Sequence, residues 1–183
     1  MKLLCACECS QVLTTAWLKA GFDCYSCDIS SCLGNYPERH YQMDALKIVD
    51  DFDVVFAFPP CTHLSFANGK HLAEKINDGR TFAALDFFWE FLRRPNVRMV
   101  ENPLGVVPRF LGVRPSQIVS PDDFGSTKKK RTCLWLKRLP LLLPTSCRSG
   151  KSFIQNLSSG SFARSLLDPF FAHAMVNQWG EYL

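Results

Sequence analysis

From Phe52 to Phe58 the chain is apolar at every position but Asp53, and it then stops at Pro59-Pro60 before Cys61. A run rich in valine and phenylalanine, with no polar residue alternating through it, predicts a strand over Asp53 to Phe58 that is buried on both faces. Such a strand needs helices on each side of its sheet, which points to a parallel core in an α/β fold. Proline cannot donate to a ladder, so the pair ends the strand and leaves Cys61 at its carboxyl edge. Open α/β sheets bind their ligands at that edge. Cys61, followed by Thr62, His63, Leu64 and Ser65, is therefore the candidate nucleophile.

The rest of the chain supplies the partners of that strand. Lys2 to Cys7 and Phe22 to Cys27 read as strands around a helix from Gln11 to Lys19, which Ala20-Gly21 closes, so the chain opens as a βαβ unit. Asp44 to Val49 is a short helical candidate. Apolar residues recur at helical spacing from Arg80 to Arg94, before Pro95, and Val97 to Val100 is the next strand, ending at Glu101. Thr132 to Leu136 is a late strand, Pro140 to Pro144 an irregular apolar connection and Ser146 to Ser161 a polar surface segment. The last helix, Pro169 to Trp179, has Asp168 as cap and ends at Gly180. With 183 residues and no linker or internal repeat, one doubly wound domain over 1–183 is expected.

Several function classes drop out. No uninterrupted apolar stretch approaches the roughly 20 residues that span a bilayer, so no membrane partner is expected. The opening Met1 to Cys7 imitates a signal peptide, but Glu8 interrupts it before an apolar region of about 7 to 15 residues can form. Nine cysteines, an odd number, without an export signal read as reduced thiols in a cytoplasmic setting. Cys5, Cys7 and Cys9 and then Cys24, Cys27 and Cys32 include one Cys-x-x-Cys pair and no second, so they read as small buried hydrophobes and no metal is expected. A formal charge of +4 permits nucleic-acid binding without demanding it. Its concentrated part is Lys128, Lys129, Lys130 and Arg131, a run that most often marks a solvated loop.

Glu8, Asp28 and Asp44 fall at or after the ends of the early strands. In nucleotide-binding α/β folds an acid after the second strand accepts hydrogen bonds from both ribose hydroxyls, and Asp28 fits that role; acids there also serve as ordinary helix caps. Cys61 and Glu101 each follow a central strand and each has proline nearby, so both side chains are expected to face one cleft. A thiolate can add to ring carbon 6 of a pyrimidine, while a carboxyl group at ring nitrogen 3 and the exocyclic amine recognises cytosine and protonates the adduct. Ring carbon 5 then becomes nucleophilic. His63 has no geometric claim to act as a base, His71 and His173 show no partner, and Phe87, Phe88, Trp89, Phe91, Trp135 and Trp179 read as core.

These residues resemble the S-adenosylmethionine-dependent DNA cytosine-5 methyltransferases. Phe58 to Ser65 is similar to that family's Pro-Cys nucleophile loop, and Val100-Glu101-Asn102-Pro103 to its Glu-Asn-Val strand end. Phe124-Gly125 with Lys128 and Lys130 is similar to its Phe-Gly and Gln-x-Arg-x-Arg segment, with Lys130 at the first arginine position and Thr132 at the second. Nearly the whole chain resembles short methyltransferase-like proteins of phages and prophages, through Ala6-Cys7-Glu8-x-Ser10, Thr132 to Lys137 and Gln178-Trp179-Gly180. The resemblance implies a Rossmann-like methyltransferase fold and methylation of cytosine at ring carbon 5 in DNA, in the cytoplasm of a bacterial host if phage-encoded. It implies catalysis by Cys61 and Glu101 and substrate contacts from Pro60, Ser65, Asn102, Lys128, Lys130 and Arg131. S-adenosylmethionine would meet Glu8, Ser10, Asp28, Asp44, Phe58 and Pro59.

The chain departs from the family in three places. The first loop, Cys7 to Val12, has no glycine; Thr132 replaces a fork of donors; and only Lys137 to Asp168, a short surface connection, stands where a target-recognition domain would. A free pyrimidine nucleotide as substrate, and a catalytically inactive nucleotide- or nucleic-acid-binding protein, are the alternative expectations.

Overall fold

The computed structural model describes residues 1–146 and 166–183. Among the described residues the sheet has seven strands: β1 (Lys2–Ala6), β2 (Asp23–Asp28), β3 (His40–Gln42), β4 (Val54–Ala57), β5 (Val97–Pro103), β6 (Gln117–Val119) and β7 (Thr132–Leu136). They lie in the order β3-β2-β1-β4-β5-β7-β6. The first five are mutually parallel, as the apolar β4 requires, but β7 runs antiparallel between β5 and β6. The sheet is therefore mixed: its core is parallel, as expected, and β7 runs against it.

Helices cover both faces. On one, α1 (Val12–Lys19) and the last helix, α5 (Pro169–Trp179), pack on Leu3, Cys5, Val54, Phe56 and Leu134. Trp17 and Trp179 flank Phe56, with ring centroids 5.4 and 6.1 Å away. Truncating any of these rings removes a large apolar area and costs about 3–5 kcal/mol. On the other face, α3 (Arg80–Leu92) turns Leu85, Phe88 and Phe91 inward against Leu4, Ala57, Val100 and Trp135. Short α2 (Leu72–Asn77) and α4 (Val107–Leu111) lie beside it. Trp89, expected in the core, faces outward and is 42% exposed. Its position is out of phase with the buried stripe of α3, Thr81, Leu85, Phe88 and Phe91.

Local chemistry sets the ends of these elements. Asp168 accepts the Phe170 N–H at 3.0 Å to cap α5, with Pro169 in the first turn. Asp44 to Val49 forms two single 3-10 turns, Ala45–Lys47 and Val49–Asp51, instead of one helix. Asp44 caps the first of them by accepting from the Leu46 N–H at 3.0 Å. Cys5, Cys24, Cys27 and Cys133 are buried free thiols, as small hydrophobes would be. Among the described residues no helix is long and apolar enough to cross a membrane. Of the surface connection from 137 to 168 and the polar segment from 146 to 161, residues 147–165 lie outside the described residues.

Candidate active site at the carboxyl ends of the strands

Chain order reverses between β1 and β4: β1 leads outward to β2 and β3, while β4 leads to β5 on the other side. A crevice opens where two such loops part company. The loop after β1 and the Pro-Pro-Cys loop after β4 flank it. The β4–β5 register pairs Ala57 with Val100, so Phe58 to Cys61 leave the sheet beside the last residues of β5, Glu101 to Pro103.

The Cys61 loop is fixed on three sides. Its own carbonyl accepts the N–H groups of Leu64 and Ser65 at 3.0 and 2.9 Å, closing a tight turn. The buried Asn102 donates from Nδ2 to the Pro59 carbonyl at 2.8 Å. Lys75 reaches from α2 to the Thr62 carbonyl at 2.8 Å, and the Thr81 hydroxyl donates to the His63 carbonyl at 3.2 Å. Farther on, Val106 N–H donates to Leu64 O at 2.9 Å and Phe66 N–H to Leu104 O at 3.1 Å, with Ser65 bridged to Gly105. A Cβ on Gly105 would stand 2.0 Å from the Leu64 carbonyl oxygen, so only glycine allows this close approach.

Cys61 and Glu101 share one electrostatic environment. Burial pushes the Cys61 thiol above its usual pKa, and the nearby Glu101 carboxylate adds to the rise. Burial likewise raises Glu101, while Lys130 and the Thr132 hydroxyl pull it back. Lys130 acts on Cys61 in the same lowering sense. The Thr132 hydroxyl, itself buried at the start of β7, donates to Oε1 of Glu101. A thiol just beyond β4, a carboxyl group on β5 and an ammonium group just before β7 therefore act on one another electrostatically, a set able to attack, protonate and balance charge.

The other expected substrate contacts divide. Pro60 is exposed, while Ser65 is half-buried and its Oγ accepts the Ala67 N–H at 3.1 Å. Asn102 is fully buried, so its side chain braces the nucleophile loop and does not line the cleft. Lys128 lies 3.5 Å from the Asp168 carboxylate, at the cap of α5. Lys130 is held through its backbone N–H, which donates to Ser120 Oγ at 3.2 Å, and Arg131 is exposed. Lys75, Thr81, Gly105 and Thr132 all act on the site and were not singled out as such. Thr132 carried a signal only as the residue in place of an arginine, and Gly105 as a glycine close behind the Pro103 strand end; Lys75 and Thr81 carried none.

On the β1 side, Asp28 and Asp44 both act on Cys7, whose thiol is raised well above its usual pKa by burial first and then by Asp28, Cys27 and Asp44. Asp28 ends β2 and accepts the Ser30 N–H at 2.8 Å, and the Met43 N–H donates to the Asp28 carbonyl at 2.9 Å, so Asp28 and Asp44 stand at the ends of neighbouring strands. Ser10 is half-buried beside them, and Phe58 ties this loop to β4 by donating its N–H to Ala6 O at 2.9 Å. Pro59 is buried. Glu8 turns inward: its carboxylate accepts from Leu13 N–H at 2.7 Å, Thr14 N–H at 3.2 Å and Thr14 Oγ1 at 2.7 Å, capping α1. Burial outweighs these bonds and raises its pKa. Its role is in the helix, not toward a ligand.

The glycine-free loop has bends of the kind glycine usually supplies. Cys7 and Gln11 sit at φ 60° and 56°, in the left-handed region. Each costs about 1–3 kcal/mol in a residue with a side chain. Gln11 offsets its share: Nε2 donates to Ser26 Oγ at 3.0 Å and to Tyr36 O at 2.8 Å, and Oε1 accepts from Tyr36 N–H at 2.9 Å.

No protein-family model matches the chain, and no curated protein does. Among solved structures, that of a Spodoptera frugiperda DNMT2 mutant is similar at a TM-score of 0.45 and 16% identity, covering 79% of this chain. The chain spans 53% of the length of that protein.

Proposed function

We propose that this chain methylates ring carbon 5 of cytosine in DNA, with Cys61 as nucleophile and Glu101 as proton donor to the ring. The observation that carries the reading is the placement of Cys61 just beyond β4 and of Glu101 on the neighbouring β5, with Glu101 and Lys130 both acting electrostatically on the thiol. A protonated Glu101 no longer raises the Cys61 thiol, so the acid that serves ring nitrogen 3 is also the form that favours the thiolate. Sγ bonds to ring carbon 6, the ring double bond shifts its electrons toward nitrogen 3, and the Glu101 proton is taken up there. After methylation the proton at carbon 5 passes to solvent water as the Sγ–C6 bond breaks and restores the thiolate, and nitrogen 3 returns its proton to Glu101. A duplex target must first be flipped out of the stack, at a cost of a few kcal/mol.

S-adenosylmethionine, when bound, supplies an electrophilic methyl group. The residues present fit its adenosine end: Asp28 and Asp44 stand at the adjacent ends of β2 and β3 and both act electrostatically on Cys7, and the left-handed Cys7 and Gln11 shape the loop without glycine. Asp28 would accept from the ribose hydroxyls and Asp44 from the adenine end, with Ser10, Phe58 and Pro59 lining the same crevice.

A second reading, modification of a free pyrimidine nucleotide by the same thiolate, draws support from the short connection between β7 and α5 and from Lys128, which is turned to Asp168. Transfer of a labelled methyl group to duplex DNA, single-stranded DNA and cytidine nucleotides decides between them. Cys61→Ala should abolish transfer and leave cofactor binding, read by calorimetry, nearly intact. Comparable transfer by that variant would end the mechanism.

A further inference from the structure

The antiparallel register places Glu101 opposite Leu134 and Pro103 opposite Thr132. Residues offset by two along an antiparallel pair point to the same face, so Thr132 and Glu101 are diagonal neighbours within side-chain reach. Thr132 is buried, sits between β5 and β6 through its pairing with both Pro103 and Val119, and is β-branched, which restricts its χ1. Its hydroxyl is thus a stiff donor aimed at one carboxyl oxygen, Oε1.

We propose that Thr132 is the positioning residue for Glu101, binding Oε1 so that the plane of the carboxyl group is fixed and any proton it carries resides on Oε2. This rests on the reading of Glu101 as the ring's proton donor and adds a residue to it. An ionised carboxylate only accepts, and a protonated one has a single donor and a remaining acceptor oxygen. With Oε1 already accepting from Thr132, the protonated group presents its O–H from Oε2 toward whatever occupies the cleft. The charged and titratable groups that act on or with Glu101 are Cys61 beyond β4, Lys130 before β7 and Cys133 on β7, the last also under the charge of Arg131. Lys130 is a charge on a flexible stem and cannot select one oxygen, whereas the Thr132 hydroxyl can.

The test reads Cys61 without requiring turnover. The rate of Cys61 alkylation by iodoacetamide, followed by mass spectrometry of its peptide, is measured against pH in the intact chain. Ionisation of Glu101 retards thiolate formation at Cys61, so the profile carries a break that Glu101→Gln removes. Thr132→Val and Thr132→Ala should move that break upward by about one pH unit, the loss expected for one hydrogen bond to a charged group, and Thr132→Ser should restore it. A break unmoved in the folded Val and Ala variants, or a Ser variant that behaves like Val, would overturn the assignment. If the break moves as expected while no methyl transfer is found with any substrate, the Thr132 assignment stands and the proposed activity falls.

Discussion

Replacing Gly105 with alanine tests whether the Cys61 loop is held from the β5 side. The new Cβ would lie 2.0 Å from the Leu64 carbonyl oxygen, 2.8 Å from its carbonyl carbon and 3.1 Å from Ser65 Cα, against 3.4 Å or more for ordinary contact. All three are backbone atoms, so the strands of this small bridge must part by about 1.4 Å, the shortfall at the closest contact. Parting them breaks the Val106–Leu64 and Phe66–Leu104 hydrogen bonds, at about 1 kcal/mol each. It also loosens the fully buried Leu64, for a total of about 3 kcal/mol. At roughly 2–4 °C per kcal/mol for a chain of this size, Tm should fall by roughly 6–12 °C. Cys61 lies only one turn upstream of Leu64, and a displacement of about 1 Å at a reacting group costs on the order of 100-fold in rate. Thermal unfolding by circular dichroism gives the first number, and methyl transfer measured well below Tm gives the second. An unchanged Tm with wild-type transfer would refute the claim that this bridge fixes the nucleophile.

Two further outcomes follow from the buried groups. Glu8 and Glu101 both have folded pKa values raised by burial, so the folded state binds more protons than the unfolded one above the ordinary carboxyl range. Their contribution to stability should therefore be complete below that range and be lost as pH rises through the raised values; urea unfolding of the parent and of Glu101→Gln from pH 4 to 8 measures this, the variant losing less over the rise. At Gln11, φ 56° penalises any residue with a Cβ, so Gln11→Gly should be more stable than Gln11→Ala by about 1 kcal/mol, the reverse of the usual helical order. Both should be less stable than the parent by denaturant titration, because both lose the hydrogen bonds to Ser26 and Tyr36.

Long, strongly patterned elements were legible in the sequence. The apolar β4, the periodic α3 and the capped α5 follow from local chemistry, and each appears within a few residues of its expected bounds. Strands β3 and β6 were not seen, because three residues each, His40–Gln42 and Gln117–Val119, carry no period that separates them from loop. The reversal of β7 was equally hidden. Thr132 to Trp135 is buried throughout, so its side-chain pattern is the same for either direction, and only its insertion between β5 and β6 decides.

The same distinction runs through the site. Cys61 and Glu101 could be found because prolines mark the strand ends that carry them, and strand ends are a property of the local sequence. Their neighbours depend on register, which is a property of the sheet. Thr132 looked like the loss of a donor when set against an arginine at that position, yet the β5–β7 pairing makes it a donor to Glu101. Asn102 looked like a cleft residue beside Glu101, yet alternation along β5 turns it the other way, into the protein and onto Pro59. The first loop makes the case most directly. Missing glycine argues against left-handed backbone only if nothing compensates the strain, and the compensation at Gln11 comes from Ser26 and Tyr36, distant in sequence and brought near by the β1–β2 pairing.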